Sequence, residues 1–191
     1  MDKWGNIVSF TTTIEQVFGS GIMVPGYGFM LNNEMTDFDA TPGGVNQVEP
    51  GKRPRSSMSP TLLLKDGKPF MAVGSPGGPT IIASVAQTII NVIDHKLSIQ
   101  QAIEAPRIYS STYPKVRWES GIGQDVILDL LGRGHQFDEE PQNIGNVQAV
   151  IFDYITGKMY GGADNTREGT VLCALGLFNQ SPCVFVMSYN I

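Results

Sequence analysis

The sequence predicts an α+β layered domain, and three features of the 191-residue chain carry that expectation. Strand-like and helix-like segments are grouped rather than strictly alternating, which disfavours a doubly wound parallel sheet. Two hairpins are marked by turn pairs, Asp66-Gly67 and Thr156-Gly157. Between them, Thr80 to Asp94 carries Ile82, Val85, Ala86, Ile89, Ile90 and Ile93 at helical spacing, which predicts a buried helix. One domain over 1–191 is the economical reading at this length.

The elements follow in order. Gly5-Asn6 is a turn signal, and the β-branched run Ile7 to Ile14 reads as a first strand. From Phe18 to Pro60 glycines, prolines and polar pairs recur, a loop of about 40 residues, and ordered loops of that length usually carry function. Thr61 to Lys65 and Lys68 to Val73 form the first hairpin, and Pro79 suits the first turn of the helix that follows. A second helix opens at Ser98, with Gln101 completing a capping box, and stops at Pro106. A third runs from about Gln124 to Arg133 and ends at Gly134, and Asn146 to Tyr154 with Lys158 to Gly162 make the second hairpin. There are no internal repeats.

Composition narrows the function. Hydrophobic residues make up 41% of the chain, as in a globular protein, and 13 basic against 18 acidic residues give a net charge of −5. That balance argues against a nucleic-acid partner, and the run Lys52-Arg53-Pro54-Arg55 is too short to reverse it. Cys173 and Cys183 stand near the end with no partnering histidines, so they read as buried thiols, with a disulfide as the alternative. Nothing calls for a metal or a cofactor. Met1-Asp2-Lys3-Trp4 lacks the apolar core of a signal peptide. The apolar tail is interrupted at Asn179 to Pro182, short of the roughly 20 residues that a membrane helix needs.

Three fragments could carry chemistry. Ser75-Pro76-Gly77-Gly78 lies between a strand and a helix, where glycine amides can approach an anion and form an oxyanion hole; the plainer reading is a tight turn. Ser56-Ser57 follow Lys52, Arg53 and Arg55, so hydroxyls and cations could bind a carboxylate, or form a solvated loop. Glu34, Asp37 and Glu15 offer carboxylates for an ammonium group or for acid–base work, or a merely hydrated surface. His95 and His135 stand alone and read as surface or satisfied histidines.

Read together, these fragments are more specific. Phe18-Gly19-Ser20, Leu31-Asn32-Asn33-Glu34-Met35-x-Asp37-Phe38, Lys52-Arg53-Pro54-x-Ser56-Ser57-Met58-Ser59-Pro60, Gly74-Ser75-Pro76-Gly77-Gly78 and Ala102-Ile103-x-x-Pro106-Arg107 occur in this order. The series closely resembles the small subunit of the γ-glutamyltransferases, from Asp2 to about Thr170. The resemblance implies a four-layer αββα N-terminal-nucleophile hydrolase fold made by autocleavage of a precursor, of which this chain is the small-subunit half. The partner it implies is the large subunit of the same precursor, and the setting secreted or periplasmic. The family nucleophile is the new N-terminal threonine, whose amine is also the base. It opens a Thr-Thr-His-type segment several residues before the strand matched by Ile7 to Ile14, so the resemblance places it ahead of Met1 and implies that this chain alone is inactive.

Residue by residue, Thr13 matches the threonine that hydrogen-bonds the nucleophile hydroxyl, and Gly77 and Gly78 match the oxyanion-hole glycines. Glu34 and Asp37 match the carboxylates at the substrate α-ammonium, Ser56 and Ser57 the serines at its α-carboxylate. An arginine at that carboxylate comes from the large subunit. Glu15 stands in the substrate-binding set where many members have asparagine, which resembles the bacterial poly-γ-glutamate capsule depolymerase branch. The short loop from Asp37 to Pro50 implies an open cleft. The implied function is γ-glutamyl transfer or hydrolysis. A polyglutamate depolymerase and a non-catalytic fragment are the alternatives. The tail Val171 to Ile191 does not match the family's usual ending.

Overall fold

Backbone pairing, rather than propensity alone, decides which of the expected strands form. The computed structural model describes residues 1–2, 4–166, 169–173 and 183–186, with Cys173 and residues 183–186 described by backbone alone. The chain divides into two compact units, one of Met1–Thr11 with the chain from Met58 on, the other of Thr12–Ser57.

In the first unit, β1 (Thr61–Lys65) and β2 (Lys68–Gly74) form the expected hairpin. Asp66 at φ 53° and Gly67 at φ 74° give the doubly left-handed turn whose twist matches that of paired strands. After α1 (Ile81–Ile93) and α2 (Ile99–Glu104), β3 (Ile108–Tyr109), β4 (Lys115–Trp118), α3 (Gln124–Gly132) and β5 (Gln136–Phe137) form a satellite, in which the strands make a small sheet ordered β3-β4-β5. β6 (Gln148–Asp153) and β7 (Lys158–Ala163) are the second expected hairpin, and they join the first in an antiparallel sheet ordered β1-β2-β6-β7. β8 (Thr170–Cys173) and β9 (Cys183–Val186) pair separately. Strands and helices segregate, so the fold class is α+β.

The two helices cover one face of the sheet. Met71, Val73, Val147 and Ala149 from the strands meet Ile81 and Val85 of α1 and Ile99 and Ile103 of α2 in one core. Helix α2 starts where expected: the Ser98 side chain accepts from the Gln101 N–H, and the Gln101 side chain closes the reciprocal bond on the Ser98 N–H.

Two expectations are corrected. Helix α1 is in place, but its buried stripe is Ile81, Ser84, Val85 and Thr88, while Ile82, Ala86, Ile90 and Ile93 are exposed. A helix lying on one sheet hides one face, and the Ser84 and Thr88 hydroxyls can be buried because they donate to Thr80 O and Ser84 O one turn back. The first strand, Ile7 to Ile14, does not form. Its burial alternates, with Ile7, Ser9 and Thr11 half-buried and Val8, Phe10 and Thr12 exposed, and the Ser9 hydroxyl donates to Val73 O at 2.9 Å. The sequence is strand-like, but a strand is defined by ladder hydrogen bonds, and this segment makes none with the described residues.

Away from the core, His95 is exposed and His135 packs edge-on against Tyr113. The side chains of Cys173 and Cys183 lie outside the described residues, as does most of the tail beyond Leu172. Among the described residues no helix is long and apolar enough to cross a membrane, and no group of three or more His, Cys, Asp or Glu could hold a metal ion.

Candidate active site

The second unit is mostly loop, and one side chain ties its acidic residues together. Glu15 sits at φ 75°, a left-handed conformation that costs a non-glycine residue on the order of 1–3 kcal/mol. Thr13 stabilises it locally, since its hydroxyl oxygen accepts the Glu15 N–H at 2.8 Å. Asn33 then joins this turn to the 3-10 turn Glu34–Asp37. Its N–H donates to Ile14 O at 3.2 Å, its side-chain oxygen accepts the Gln16 N–H at 3.0 Å, and its amide nitrogen donates to the Glu15 carboxylate.

The result is a convergence of three carboxylates from two chain segments. Burial pushes the Glu34 carboxyl above its ordinary range, and the charge of Asp37, a hydrogen bond with the Asp37 carboxyl and the charge of Glu15 push it the same way. Among the described residues, Glu34 Oε1 is buried and accepts no hydrogen bond. A buried acceptor in a field of like charge calls for a cation that also donates hydrogen bonds, which is the chemistry of an ammonium group. Ser57 is half-buried and Ser56 exposed later in the same unit. Two of the basic residues before them already have acidic partners: Lys52 pairs with Glu49 at 3.6 Å and Arg55 with Asp39 at 3.3 Å.

Gly77 and Gly78 belong to the first unit, between β2 and α1. Gly77 sits at φ 136° and Gly78 at φ 55°. A Cβ on Gly77 would lie 2.6 Å from Thr80 Oγ1 and 3.0 Å from the Cα of Gly145, so backbone geometry and close packing both demand glycine. The loop is held on every side. The Ser75 hydroxyl donates to Pro76 O at 2.6 Å and accepts the Asn146 N–H at 2.9 Å, while the Thr80 hydroxyl donates to Gly77 O at 2.9 Å. Fixed backbone dipoles of this kind are what stabilisation of a developing oxyanion needs, because they do not reorganise during reaction.

Behind that loop lies a buried ion cluster that the sequence reading missed. Arg107, 3% exposed, donates from Nε and Nη2 to the two oxygens of Glu119 at 3.0 Å each, and from Nη2 to Asp164 at 2.6 Å. The two acids also accept backbone N–H groups of the segment that backs Gly77. Glu119 takes Ile144 at 2.7 Å and Asp164 takes Val147 at 3.4 Å. Burial pushes the Asp164 carboxyl up, but the Thr166 N–H and hydroxyl and the Arg107 guanidinium outweigh it and hold the carboxyl below its ordinary range. Its partners lie 12 and 57 positions from Arg107, too far apart for any local charge pattern to reveal them.

Comparison with known proteins completes the assignment. A family model described as gamma-glutamyltranspeptidase matches residues 1–174. The glutathione hydrolase proenzyme of Bacillus subtilis strain 168 is 54% identical over 171 residues, which is 90% of this chain and 29% of that protein, so the chain spans under a third of that relative's length. Among solved structures, the gamma-glutamyltranspeptidase of Pseudomonas nitroreducens complexed with L-DON superposes with a TM-score of 0.81 at 33% identity, covering 88% of this chain and 94% of that one. The Bacillus anthracis transpeptidase enzyme CapD superposes with a TM-score of 0.72 at 30% identity, covering 89% and 94%. With α+β layering, glycines fixed at the β2–α1 turn and a carboxylate cluster in the long loop, this chain belongs to the gamma-glutamyltranspeptidase family.

Proposed function

We propose that this chain is the substrate-gripping and oxyanion-stabilising part of an enzyme that transfers or hydrolyses a γ-glutamyl group. It acts with an upstream part of the same precursor, which supplies the nucleophilic threonine and an arginine for the substrate α-carboxylate. The observation that carries the reading is the carboxylate cluster: Glu34 is held above its ordinary pKa beside Asp37 and Glu15, with a buried oxygen that has no donor among the described residues. An α-ammonium supplies both the charge and the donors.

The roles follow from charge. Glu34, Asp37 and Glu15 take the ammonium, and Ser56 and Ser57 donate to the α-carboxylate. The threonine hydroxyl adds to the γ-carbonyl while its own amine takes the proton, and Gly77 and Gly78 donate backbone N–H groups to the resulting oxyanion. The intermediate collapses by expelling the amine, which leaves with the proton, and an ester remains on the threonine. Water or an acceptor amine then attacks the ester and restores the hydroxyl. Thr13 is given the bond to the nucleophile: its oxygen accepts the Glu15 N–H, and its hydroxyl hydrogen can be offered to the nucleophile. The nucleophile accepts that bond and keeps its proton for the amine.

The direct test uses release of p-nitroaniline from L-γ-glutamyl-p-nitroanilide. The purified chain is expected to give no turnover, and expression as a precursor with the upstream part and its threonine is expected to restore it. Turnover by the chain alone would mean that another residue is the nucleophile, and would overturn this assignment.

A pH dependence follows as well. Because the free Glu34 carboxyl is raised, part of it is protonated in the lower part of the pH range, and a bound ammonium favours the ionised form. Binding therefore releases protons, and KM is expected to fall as pH rises from the ordinary glutamate range through the raised value, then level off. In Glu34→Gln that slope should vanish.

A second reading, cleavage of poly-γ-glutamate, draws on Glu15, which adds a third negative charge to the cluster. Polymer cleavage would show as a rate per molecule that rises with the number of glutamyl units. A secreted or periplasmic setting belongs to the same family-based reading.

A further inference from the structure

Two consecutive glycines are poorly suited to holding a backbone still, because a glycine hardly restricts the peptide planes beside it. Yet an oxyanion donor is effective only if its N–H is aimed before the charge develops. At Gly77 and Gly78 the aim is set from outside the glycines. A trans peptide is planar and points its C=O and its N–H in opposite directions, so anchoring a carbonyl fixes the N–H of the next residue. The Gly77 N–H shares its peptide with Pro76 O, which accepts the Ser75 hydroxyl at 2.6 Å. The Gly78 N–H shares its peptide with Gly77 O, which accepts the Thr80 hydroxyl at 2.9 Å and the Thr80 N–H at 3.2 Å. Each hydroxyl also polarises the peptide it touches, which strengthens the N–H on the far side.

A simpler use for Thr80 would be to cap α1, since it is the N-cap residue, where a threonine oxygen ordinarily accepts a helix N–H. It makes no such bond, and its hydroxyl turns back to Gly77 instead. The Ser75 hydroxyl is steadied in turn by accepting the Asn146 N–H at 2.9 Å, from 71 positions along the chain. Both residues are 3% exposed, so water does not compete for the two carbonyls.

We propose that Ser75 and Thr80 are positioning residues of the oxyanion hole: their hydroxyls hold the peptide planes on either side of Gly77 and so aim the Gly77 and Gly78 N–H groups at the developing charge. The inference rests on the γ-glutamyl reading above. The two hydroxyls act through the backbone, so their effect falls on the tetrahedral state, while binding of the glutamyl group before reaction is spared.

The test is made on the matured full-length enzyme, with L-γ-glutamyl-p-nitroanilide as substrate and two inhibitors. L-Glutamate reports binding without an oxyanion. A glutamate analogue with a boronic acid in place of the γ-carboxyl reports the tetrahedral state, because the threonine hydroxyl adds to boron and a boron hydroxyl of the resulting anion lies where the oxyanion forms. Thr80→Val keeps the shape and removes the hydroxyl. It is expected to lower kcat/KM about tenfold, less than the roughly hundredfold or more that follows loss of an oxyanion donor itself. Ki for the boronate should rise by the same factor, while Ki for L-glutamate stays within about twofold. Thr80→Ser, which keeps the hydroxyl, should return kcat/KM and the boronate Ki to near the wild-type values. A role confined to folding would lower the rate by reducing the active fraction and leave both Ki values unchanged. That result would overturn the proposal, as would an equal rise in both Ki values, wild-type kinetics in Thr80→Val, or a Thr80→Ser enzyme as impaired as Thr80→Val. Should Thr80→Val fail to mature, Ser75→Ala carries the same expectation through the Gly77 N–H. Failure of both to mature would assign the hydroxyls to folding and also overturn it. A wild-type enzyme that binds the boronate no more tightly than L-glutamate would sink the oxyanion-hole reading itself, which is a separate failure.

Discussion

Asp37→Ala in the matured full-length enzyme is expected to lower kcat/KM for L-γ-glutamyl-p-nitroanilide by roughly 30- to 5,000-fold, on the order of 2–5 kcal/mol. The effect is expected to be large because, on the proposed reading, the substrate cation enters a site that lacks a donor for Glu34 among the described residues. Among the described residues Glu34 has a buried oxygen without a partner, and its carboxyl is raised by burial first and by Asp37 next. With Asp37 gone, the ammonium loses one counter-charge. The relief of repulsion on Glu34 returns only part of that loss, because burial is the larger cause of its shift. Asp37→Asn separates charge from shape, and most of the loss should persist in it. An Asp37→Ala enzyme with unchanged kinetics would remove Asp37 from the ammonium site.

The largest effect on stability is expected at Arg107. Arg107→Met leaves Glu119 and Asp164 buried without their cation, and breaking a buried pair in this way costs about 3–5 kcal/mol. Asp164 is 3% exposed, so solvent does little to screen the loss. Urea unfolding of the full-length protein should show it as a lower midpoint. The direction with pH is fixed by the depressed Asp164 carboxyl. Its contribution to the wild type is present above the ordinary carboxylate value of about 3.9 and is lost as pH falls through the lower folded value. In Arg107→Met the orphaned carboxyls prefer to be protonated, so acid relieves the variant while it weakens the wild type. The gap between the two should therefore narrow on acidification, and a constant gap would show that the ion cluster is not its source.

What was legible in the sequence was local. Asp66-Gly67 and the Ser98–Gln101 capping box were readable because a turn or a cap is decided by residues within four positions of each other. The helix from Ile81 to Ile93 was legible from its period. Which face it buries was not, since apolar residues occupy more than one face and only the sheet chooses between them. The segment from Ile7 to Ile14 shows the reverse error: its residues suit a strand, but pairing belongs to a neighbour and cannot be read from the segment itself. In the candidate site, Glu15, Glu34 and Asp37 were named through motif order. Their convergence depends on Asn33, whose side chain reaches back 17 and 18 positions to Gln16 and Glu15. Arg107 stood in a motif, but its pairing with Glu119 and Asp164 left no sequence signal, because partners 12 and 57 positions away form no local charge pattern.

The contact between Gly77 and Gly145 has a consequence for how this protein can drift over generations. Most steric conflicts can be repaired by a second substitution that trims the neighbour. A Cβ at position 77 would meet Thr80 Oγ1 at 2.6 Å, which could be trimmed, but also the backbone of Gly145, at 3.0 Å from its Cα and 3.4 Å from its nitrogen, which has nothing left to trim. At position 145, itself at φ 70°, a Cβ would strike Ser84 and Ser75. Shrinking Ser84 would give up the hydroxyl bonded to Thr80 O and Ile144 O. Trimming a neighbour would also leave the backbone conformation in place, since both glycines sit at a positive φ that other residues rarely adopt, so neither position changes without moving the backbone of this turn. Saturation libraries at the two positions should recover glycine at both, singly and in combination, while neighbouring surface positions diversify freely.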